Sequence, residues 1–386
     1  MTTVVVSGAL ANKPGNGGEA WVRMEWVEGL RRLGFDVYFI EQIARDLLRN
    51  GAGTPVSPDS SEHVAFFRGV TRRFGMEGKI ALLDQHGGAI DGLEMAELEG
   101  IAAEAALLVN VSGHLRVPSL FKRFRKRAYI DLDPGFTQFW QVAAMDGSQL
   151  CGHNFHFTVG LNVGESGCDV PTNGIRWHPL PPPVVLDAWP VADGDPEALT
   201  TVASWRGSFG RIEHGGRKFG LKVHEFRKFI QLPERISQRM EVALDIHPAD
   251  SRDLEALKRH GWRILDPCKV VPDPDAYRRF VQDSGAEFSV AQGIYVETGS
   301  GWFSDRTVRY LASGKPVLIQ DTGFSRVLPT DHGLLAFQSF EDAVARANEL
   351  ASDYESHCRA ARRIAEEHFD SDRVLSRFLE VVDAAP

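Results

Sequence analysis

The stretch GSGWFSDRTVRYLASGKPVLIQDTG, residues 299–323, decides the fold that this sequence predicts. It opens on a glycine turn, and Ser304 and Asp305 are residue types that favour the first turn of a helix. Gly314 is a residue type that ends a helix, and the apolar run at residues 316–319 indicates a buried strand. The stretch is therefore one helix–strand unit of a parallel α/β sheet.

Both ends of this unit have the chemistry to hold a ligand. The glycine turn offers backbone N–H groups to an anion at the start of a helix. The polar loop after residue 319 follows a strand, and ligands of open α/β sheets bind at the carboxyl ends of strands. The predicted ligand contacts are Ser300, Gly301, Ser304, Asp305, Arg306, Gln320 and Asp321.

The composition indicates two ordinary domains. The chain has 386 residues, of which 43% are hydrophobic, enough for two cores. Its net charge is −9 and its charges are interspersed without a basic stripe, so we expect no nucleic-acid partner. The four cysteines lack the spacing of a zinc or redox motif, which favours a reduced cytosolic protein. With no signal-peptide pattern and no apolar run long enough for a transmembrane segment, we expect a cytoplasmic protein.

Strand and helix patterns alternate along the whole chain, which predicts two doubly wound Rossmann-like α/β domains facing across a cleft. The proline-rich run HPLPPP, residues 178–183, marks the boundary between them because such a run cannot continue a helix or a central strand. The predicted parts are an N-terminal domain at residues 1–183, a linker at 184–198, a C-terminal domain at 199–360 and terminal helices at 361–386 that pack back on the N-terminal domain.

Basic residues after the first strand of the C-terminal domain indicate an anion site in the cleft. Arg206 follows that strand directly, and Lys218 comes later in the same loop region. A guanidinium can bind a diphosphate with two parallel hydrogen bonds. The alternative to a diphosphate contact is that both residues are ordinary surface charges on an exposed loop.

Three short motifs resemble the GT-B glycosyltransferases, which use nucleotide-diphosphate sugars. YLASGKPV at residues 310–317 resembles the helix–glycine–strand signature that precedes the sugar-contacting loop. GWFS at residues 301–304 resembles a run found in glycosyltransferases that act on small natural products. GNGG at residues 15–18 resembles the glycine pair near the diphosphate, which implies that Gly17 and Gly18 contact the donor.

The resemblance implies sugar transfer from a nucleotide-diphosphate donor, bound by the C-terminal domain, to an acceptor bound by the N-terminal domain. The nucleotide sugar is a co-substrate, so no further cofactor is expected, and helix dipoles and basic residues replace a metal. The acceptor hydroxyl needs a base, for which we consider His114, Asp133 and His86 at predicted strand ends. His114 also resembles a histidine that many members place near the donor sugar.

The chain also departs from the family pattern. Gly301 and Arg309 occupy the positions of two glutamates that many retaining members carry, so the donor sugar and the stereochemical course stay open. A nucleotide-sugar 2-epimerase, which needs no acceptor, and an inactive homologue that serves in binding or assembly are the alternatives. The sequence also does not decide whether the protein forms a homodimer.

Overall fold

The computed structural model describes residues 1–143, 149–207 and 209–384, so the last two residues of the predicted C-terminal segment lie outside it. The described chain forms two large sheets, one from each half. The first sheet ends at Pro179 and the second begins at Asp195. The predicted α/β class with two doubly wound units is confirmed by this topology, whereas the exact domain boundaries stay a prediction.

The first sheet has the order β4-β3-β2-β1-β5-β6-β7-β8. Its strands are β1 Thr3–Ser7, β2 Asp36–Ile43, β3 Ile80–Asp84, β4 Ala89–Gly92, β5 Leu107–Val111, β6 Arg127–Asp131, β7 Phe155–Thr158 and β8 Trp177–Pro179. Neighbouring strands are parallel except for β3 and β4. The strand order reverses direction at β1 and β5, which places a ligand crevice at their carboxyl ends.

The second sheet is wholly parallel and has the order β13-β12-β9-β14-β15-β16. Its strands are β9 Asp195–Ser204, β12 Arg239–Asp245, β13 Arg263–Leu265, β14 Ser284–Ser289, β15 Val317–Gln320 and β16 Leu334–Phe337, and a small hairpin is formed by β10 Glu213–His214 and β11 Arg217–Lys218. The order reverses between β9 and β14, so this sheet has its own crevice. The carboxyl ends of β1 and β9 face each other across the cleft described below.

The helices follow the strands in the alternation that the sequence predicts. They are α1 Gly17–Arg32, α2 Glu62–Arg73, α3 Met95–Glu104, α4 Pro118–Phe121, α5 Phe136–Val142, α6 Lys222–Phe226, α7 Ser251–Arg259, α8 Pro267–Val270, α9 Pro274–Asp283, α10 Gly293–Thr298, α11 Asp305–Ala312, α12 Phe340–Ser352, α13 Tyr354–Ile364 and α14 Ser371–Ala384. Asn16 caps α1 by accepting the Glu19 N–H, and Ser304 caps α11 by accepting the Arg306 N–H. From the second half of the chain, α14 returns to the first sheet, where Phe378 packs on Trp26 and Phe157.

A buried ion pair joins the two halves beside the proline-rich linker. The Glu25 carboxylate on α1 lies 3.7 Å from Nε of Arg309 on α11, and both side chains are almost wholly inaccessible to solvent. The linker supplies two more donors to the same carboxylate, the Val185 N–H at 2.6 Å and the Trp189 indole N–H at 2.8 Å. Arg309 in turn donates to Asp305 at 2.9 Å. The Glu25 carboxylate of the first domain therefore contacts both the second domain and the linker.

Replacing Glu25 with alanine is expected to lower the free energy of unfolding by about 3 kcal/mol, because the buried Val185 N–H and Trp189 indole N–H lose their acceptor and the buried Arg309 keeps only Asp305 as a carboxylate partner. Urea-induced unfolding followed by circular dichroism measures the loss. Glu28→Ala is the matched control on the same helix, since the Glu28–Arg31 pair is partly solvated and contributes less than about 1 kcal/mol. Equal unfolding midpoints for the two variants would contradict this role of Glu25.

Candidate functional site

Two adjoining cavities occupy the cleft between the two sheets. The first, of about 510 Å³, is bounded by the loop after β1, by α8 and by Tyr277 on α9. The second, of about 410 Å³, extends along the carboxyl ends of β5 and β6 to α5 and α10. Both cavities are lined by Lys13, Glu19, Val22, Ser204, Lys222, Asp305 and Arg306. The junction of the two cavities is therefore built from both domains.

Two lysines at this junction have no anionic partner in the described part of the chain. Lys13 lies on the loop between β1 and α1, and Lys222 is the first residue of α6. Neither ammonium group has a carboxylate within 4.0 Å among residues 1–143, 149–207 and 209–384, whereas the neighbouring Arg23 is paired with Glu19. Two such cations that face one space from opposite domains can attract an anionic ligand.

Burial adjusts the charge of Lys222. It lowers the pKa of this ammonium group to about 7, with a further contribution from the Arg306 charge and an opposing one from Glu287. Lys222 is therefore close to half protonated at neutral pH. An anion bound beside it would favour the charged form, so ligand binding and protonation of Lys222 are coupled.

A carboxylate in the second cavity is held from the opposite domain. Asp133, just beyond β6, accepts a hydrogen bond of 2.7 Å from the Tyr295 hydroxyl on α10. The Tyr295 ring stacks on Trp302 at 4.7 Å, and the Trp302 indole donates to the Leu132 carbonyl at 3.2 Å. Burial raises the pKa of Asp133 to about 6, the Tyr295 hydrogen bond lowers it, and the Asp131 charge raises it. This carboxylate is mostly ionised at neutral pH and is more basic than an ordinary one.

The neighbouring acid and histidine have different roles. Asp131 is buried and accepts hydrogen bonds of 2.8 Å from both Gln138 and Thr158, so its oxygens serve the local structure. His114 lines the second cavity, and burial lowers the pKa of its imidazole to about 3. A neutral imidazole can exchange hydrogen bonds with a hydroxyl group, but it is a weak base. Asp133 is therefore the better proton acceptor of the predicted catalytic residues.

The glycine turn at the start of the fold-deciding stretch does not have free N–H groups. The N–H groups of Ser300 and Gly301 donate to the carbonyls of Tyr295 and Thr322, and the Ser300 side chain is fully buried. The carbonyls of the same two residues accept from Asn162 and Leu161 of the first domain. The expectation that Ser300 and Gly301 hold an anion is therefore wrong, because this turn is a contact between the domains.

Steric crowding explains why glycine stands in this turn. Gly301 has a φ of +70°, and a Cβ atom there would lie 2.9 Å from the backbone nitrogen of Asn162. Gly17, in the other glycine motif, is similar: a Cβ atom would lie 2.1 Å from the Asp273 carbonyl oxygen. Gly17 thus allows the domains to approach, whereas Gly18 also lines the first cavity.

The start of α11 does reach the cleft, but its side chains are already engaged. Ser304, Asp305 and Arg306 line the second cavity, and the last two also line the first. The Ser304 hydroxyl caps the helix and Asp305 pairs with Arg309. The Arg306 guanidinium donates to Glu287 at 2.6 Å, to Ser289 at 2.6 Å and to the Val202 carbonyl at 3.0 Å. Arg306 therefore fixes α11 to the sheet beside the junction.

The remaining predicted contacts lie outside the two cavities. Gln320 bridges Ala291 and Glu225 inside the second domain, and Asp321 accepts from its own turn and from Gln338. Arg206 is half exposed and bound to Asp250. Lys218 is exposed on the small hairpin and pairs with Glu213.

His86 also lies elsewhere, on the turn between β3 and β4. Its N–H donates to Asp84 at 2.8 Å, and its side chain is exposed. His86 follows a strand, as predicted, but it lines neither cavity, because β4 is the outermost strand and pairs antiparallel with β3 at the sheet edge. A tight hairpin keeps the residues that follow β3 at that edge.

Several residues that line the cleft were not predicted as ligand contacts from sequence patterns, namely Lys13, Arg116, Lys222 and Tyr295. Lys13 stands in the polar glycine-rich loop after β1, so the position of that loop was an available signal. No local sequence pattern indicates that Tyr295 and Arg116 line the cleft, because that depends on how the two domains face each other.

The described residues contain neither a metal-ligand cluster nor a membrane-spanning helix. Within residues 1–143, 149–207 and 209–384, no group of three or more His, Cys, Asp and Glu side chains is placed to hold a metal ion. In the same ranges, no helix combines the length and apolar character that crossing a bilayer requires.

Comparisons with known proteins identify the fold. The sequence matches no protein-family model and no curated protein. Among solved structures, HepE from Anabaena in complex with UDP-glucose is similar with a TM-score of 0.61 and 11% identity over 100% of both chains. An alpha-glucosyltransferase in complex with UDP and DNA has a TM-score of 0.60 and 11% identity over 99% of each chain. Sucrose-phosphate synthase from Thermosynechococcus elongatus has a TM-score of 0.54 and 12% identity over 99% of this chain and 98% of its own. This chain therefore has the GT-B fold of these glycosyltransferases, as its motifs predict.

Proposed function

We propose that this protein is a glycosyltransferase that moves a sugar from a uridine diphosphate sugar to a hydroxyl group of an acceptor. The observation that carries the proposal is the pair of unpartnered lysines, Lys13 and Lys222, at the junction of the two cavities. A diphosphate placed there would be neutralised from both domains. The similar structures that were solved with UDP or UDP-glucose support the choice of nucleotide.

In this proposal the first cavity holds the nucleotide and the second holds the acceptor. Nucleotide contacts would come from Gly18, Cys268 and Tyr277, which line the first cavity beside the lysines. The acceptor would lie near Asp133 in the second cavity. Asp305 and Arg306 border both spaces and would position the start of α11 beside the transferred sugar.

The reaction joins the acceptor oxygen to the anomeric carbon while the bond from that carbon to the diphosphate breaks. The acceptor proton passes to the Asp133 carboxylate and the electron pair of the broken bond leaves with UDP. A base with a pKa of about 6 is ionised at neutral pH and still accepts a proton readily. The neutral His114 imidazole would hydrogen-bond a sugar hydroxyl rather than take its proton.

Replacing Lys13 or Lys222 with glutamine is expected to weaken UDP binding about tenfold each, since each change removes a charge-assisted contact. Isothermal titration calorimetry with UDP measures the effect. Lys218→Gln is the matched control, because that lysine is exposed and paired with Glu213 outside both cavities. If UDP bound all three variants as tightly as wild type, the diphosphate would lie elsewhere.

Binding of UDP-glucose is expected to weaken by about tenfold between pH 6 and pH 8. Lys222 is charged below its pKa of about 7 and loses its charge above it, while the diphosphate diester keeps a constant charge over this range. Calorimetry across the pH range follows the change. The Lys222→Gln variant should lose this pH dependence and Lys13→Gln should keep it; a flat profile for wild type would exclude Lys222 from the site.

Asp133→Asn is expected to reduce sugar transfer by about 10²-fold or more while UDP binding stays within about twofold of wild type. His114→Ala should reduce transfer less, since an imidazole with a pKa of about 3 is not the base. Mass spectrometry of the products of UDP-glucose with a broad acceptor panel measures transfer. Full turnover by Asp133→Asn would remove Asp133 as the proton acceptor.

Wild-type activity should fall as the pH drops through about 6, where Asp133 becomes protonated. Tyr295→Phe should move this acid limb to higher pH, because the lost hydrogen bond had lowered the Asp133 pKa. Tyr38→Phe is the control, since Tyr38 lies on β2 outside both cavities.

The same assays separate the alternatives. An epimer formed from the nucleotide sugar without any acceptor would favour a 2-epimerase. Tight UDP binding with no product from any acceptor would favour a binding or assembly protein. The absence of a nucleic-acid partner stays a prediction, because one similar alpha-glucosyltransferase was solved with DNA.

A further inference from the structure

The second cavity is lined by a cation, Arg116, that has no carboxylate partner among the described residues and that the proposed reaction does not use. We propose that this cavity accepts an acceptor bearing a carboxylate or phosphate group, which Arg116 binds, with a planar or ring-shaped body against Trp140 and Phe209. The inference rests on the proposed function, since it names the chemical class of the acceptor. All three side chains line the second cavity and none lines the first.

Arg116 is anchored at its base while its charge stays uncompensated. It lies beyond β5, where its N–H donates to the Gln42 side chain at 2.9 Å and its Nε donates to the Gly113 carbonyl at 3.3 Å. Within the described ranges no carboxylate oxygen lies within 4.0 Å of its guanidinium. Arg23 in the same cavity is paired with Glu19 and so does not offer a free charge. Among the cations of this cavity, Arg116 is thus suited to an anion from outside.

The electrostatic effect of Arg116 shows which groups its charge faces. After burial, the charges of Arg23 and then Arg116 lower the pKa of His114. The Arg116 charge also opposes the increase in the Tyr129 pKa that burial causes. His114 and Tyr129 both line the second cavity, so the guanidinium acts on the space between them.

An aromatic wall stands in the same cavity and is contributed by both domains. The rings of Trp140, on α5, and Phe209, from the second domain, meet edge to face with centroids 4.9 Å apart. Both side chains are only half buried, so they have apolar surface available to a ligand. Half-buried aromatic rings offer large contact areas to planar groups and sugar rings.

The charges of the cavity would also orient such an acceptor. The carboxylates of Asp131 and Asp133 repel an anionic group, whereas Arg116 attracts it. An acceptor with one anionic group and one hydroxyl would therefore place its anion at Arg116 and leave its hydroxyl for Asp133. A neutral acceptor would leave the Arg116 charge without a partner.

Matched probes test this inference. The pairs are 4-hydroxybenzoate with 4-hydroxybenzamide, and glucose 6-phosphate with glucose. Each compound is titrated calorimetrically into the 386-residue chain saturated with UDP. We expect the anionic member of at least one pair to bind about tenfold more tightly, and the pair that responds tells a carboxylate from a phosphate. Arg116→Gln should abolish this advantage without changing the affinity for the neutral member, and Arg116→Lys should restore part of it.

The control variant is Arg123→Gln, which removes an exposed arginine of the same domain that is paired with Glu99. It should leave every affinity unchanged. Equal binding of both members of both pairs to wild type, or an advantage that survives in Arg116→Gln, would overturn the inference. These outcomes leave the proposed function standing, because UDP binding is measured first; failure of UDP to bind would instead overturn the proposed function.

Discussion

The close approach of the two domains is the constraint on which the cleft depends. It is made by backbone against backbone: the Gly301 carbonyl accepts from Leu161, and Gly17 lies against the carbonyl of Asp273. Any side chain at either glycine would force the domains apart. The buried Glu25–Arg309 pair adds a charged contact at the linker, where misalignment would leave a charge unpaired. These contacts set how far Asp133 lies from the residues of the second domain.

The electrostatics of the cleft follow from which charges find partners within the protein. Glu19 is paired with Arg23, Asp305 with Arg309, and Arg306 with Glu287. Such pairs fix the walls and leave little net charge to act on a ligand. Lys13, Lys222 and Arg116 lack such a partner among the described residues, so their charges are available to the ligands that we propose. The protein, with a net charge of −9, thus has positive charge at the place where we propose that the diphosphate binds.

The Asp133–Tyr295 hydrogen bond links the chemistry to the domain arrangement. The carboxylate belongs to the first domain and the hydroxyl to the second, and the hydrogen bond lowers a pKa that burial has raised. A change in the relative position of the domains would therefore change the basicity of Asp133. The hydrogen bond from Tyr295 therefore keeps Asp133 more acidic, and so more fully ionised at neutral pH, when both halves of the cleft are in contact.

The sequence by itself determined the α/β class and the alternation of elements, because the periodicity of apolar residues and the helix-capping residues act over short distances. Gly314 follows the end of helix α11, and Ser304 caps its start, as their residue types predict. The tertiary structure alone decided that the glycine turns are contacts between the domains. It also decided that Lys222 rather than Lys218 lines the cleft, and that Tyr295 contacts Asp133. A glycine that contacts phosphate and one that contacts another domain look alike in sequence, since both need space where a Cβ atom would stand. Only the packing of the two domains shows which atoms fill that space.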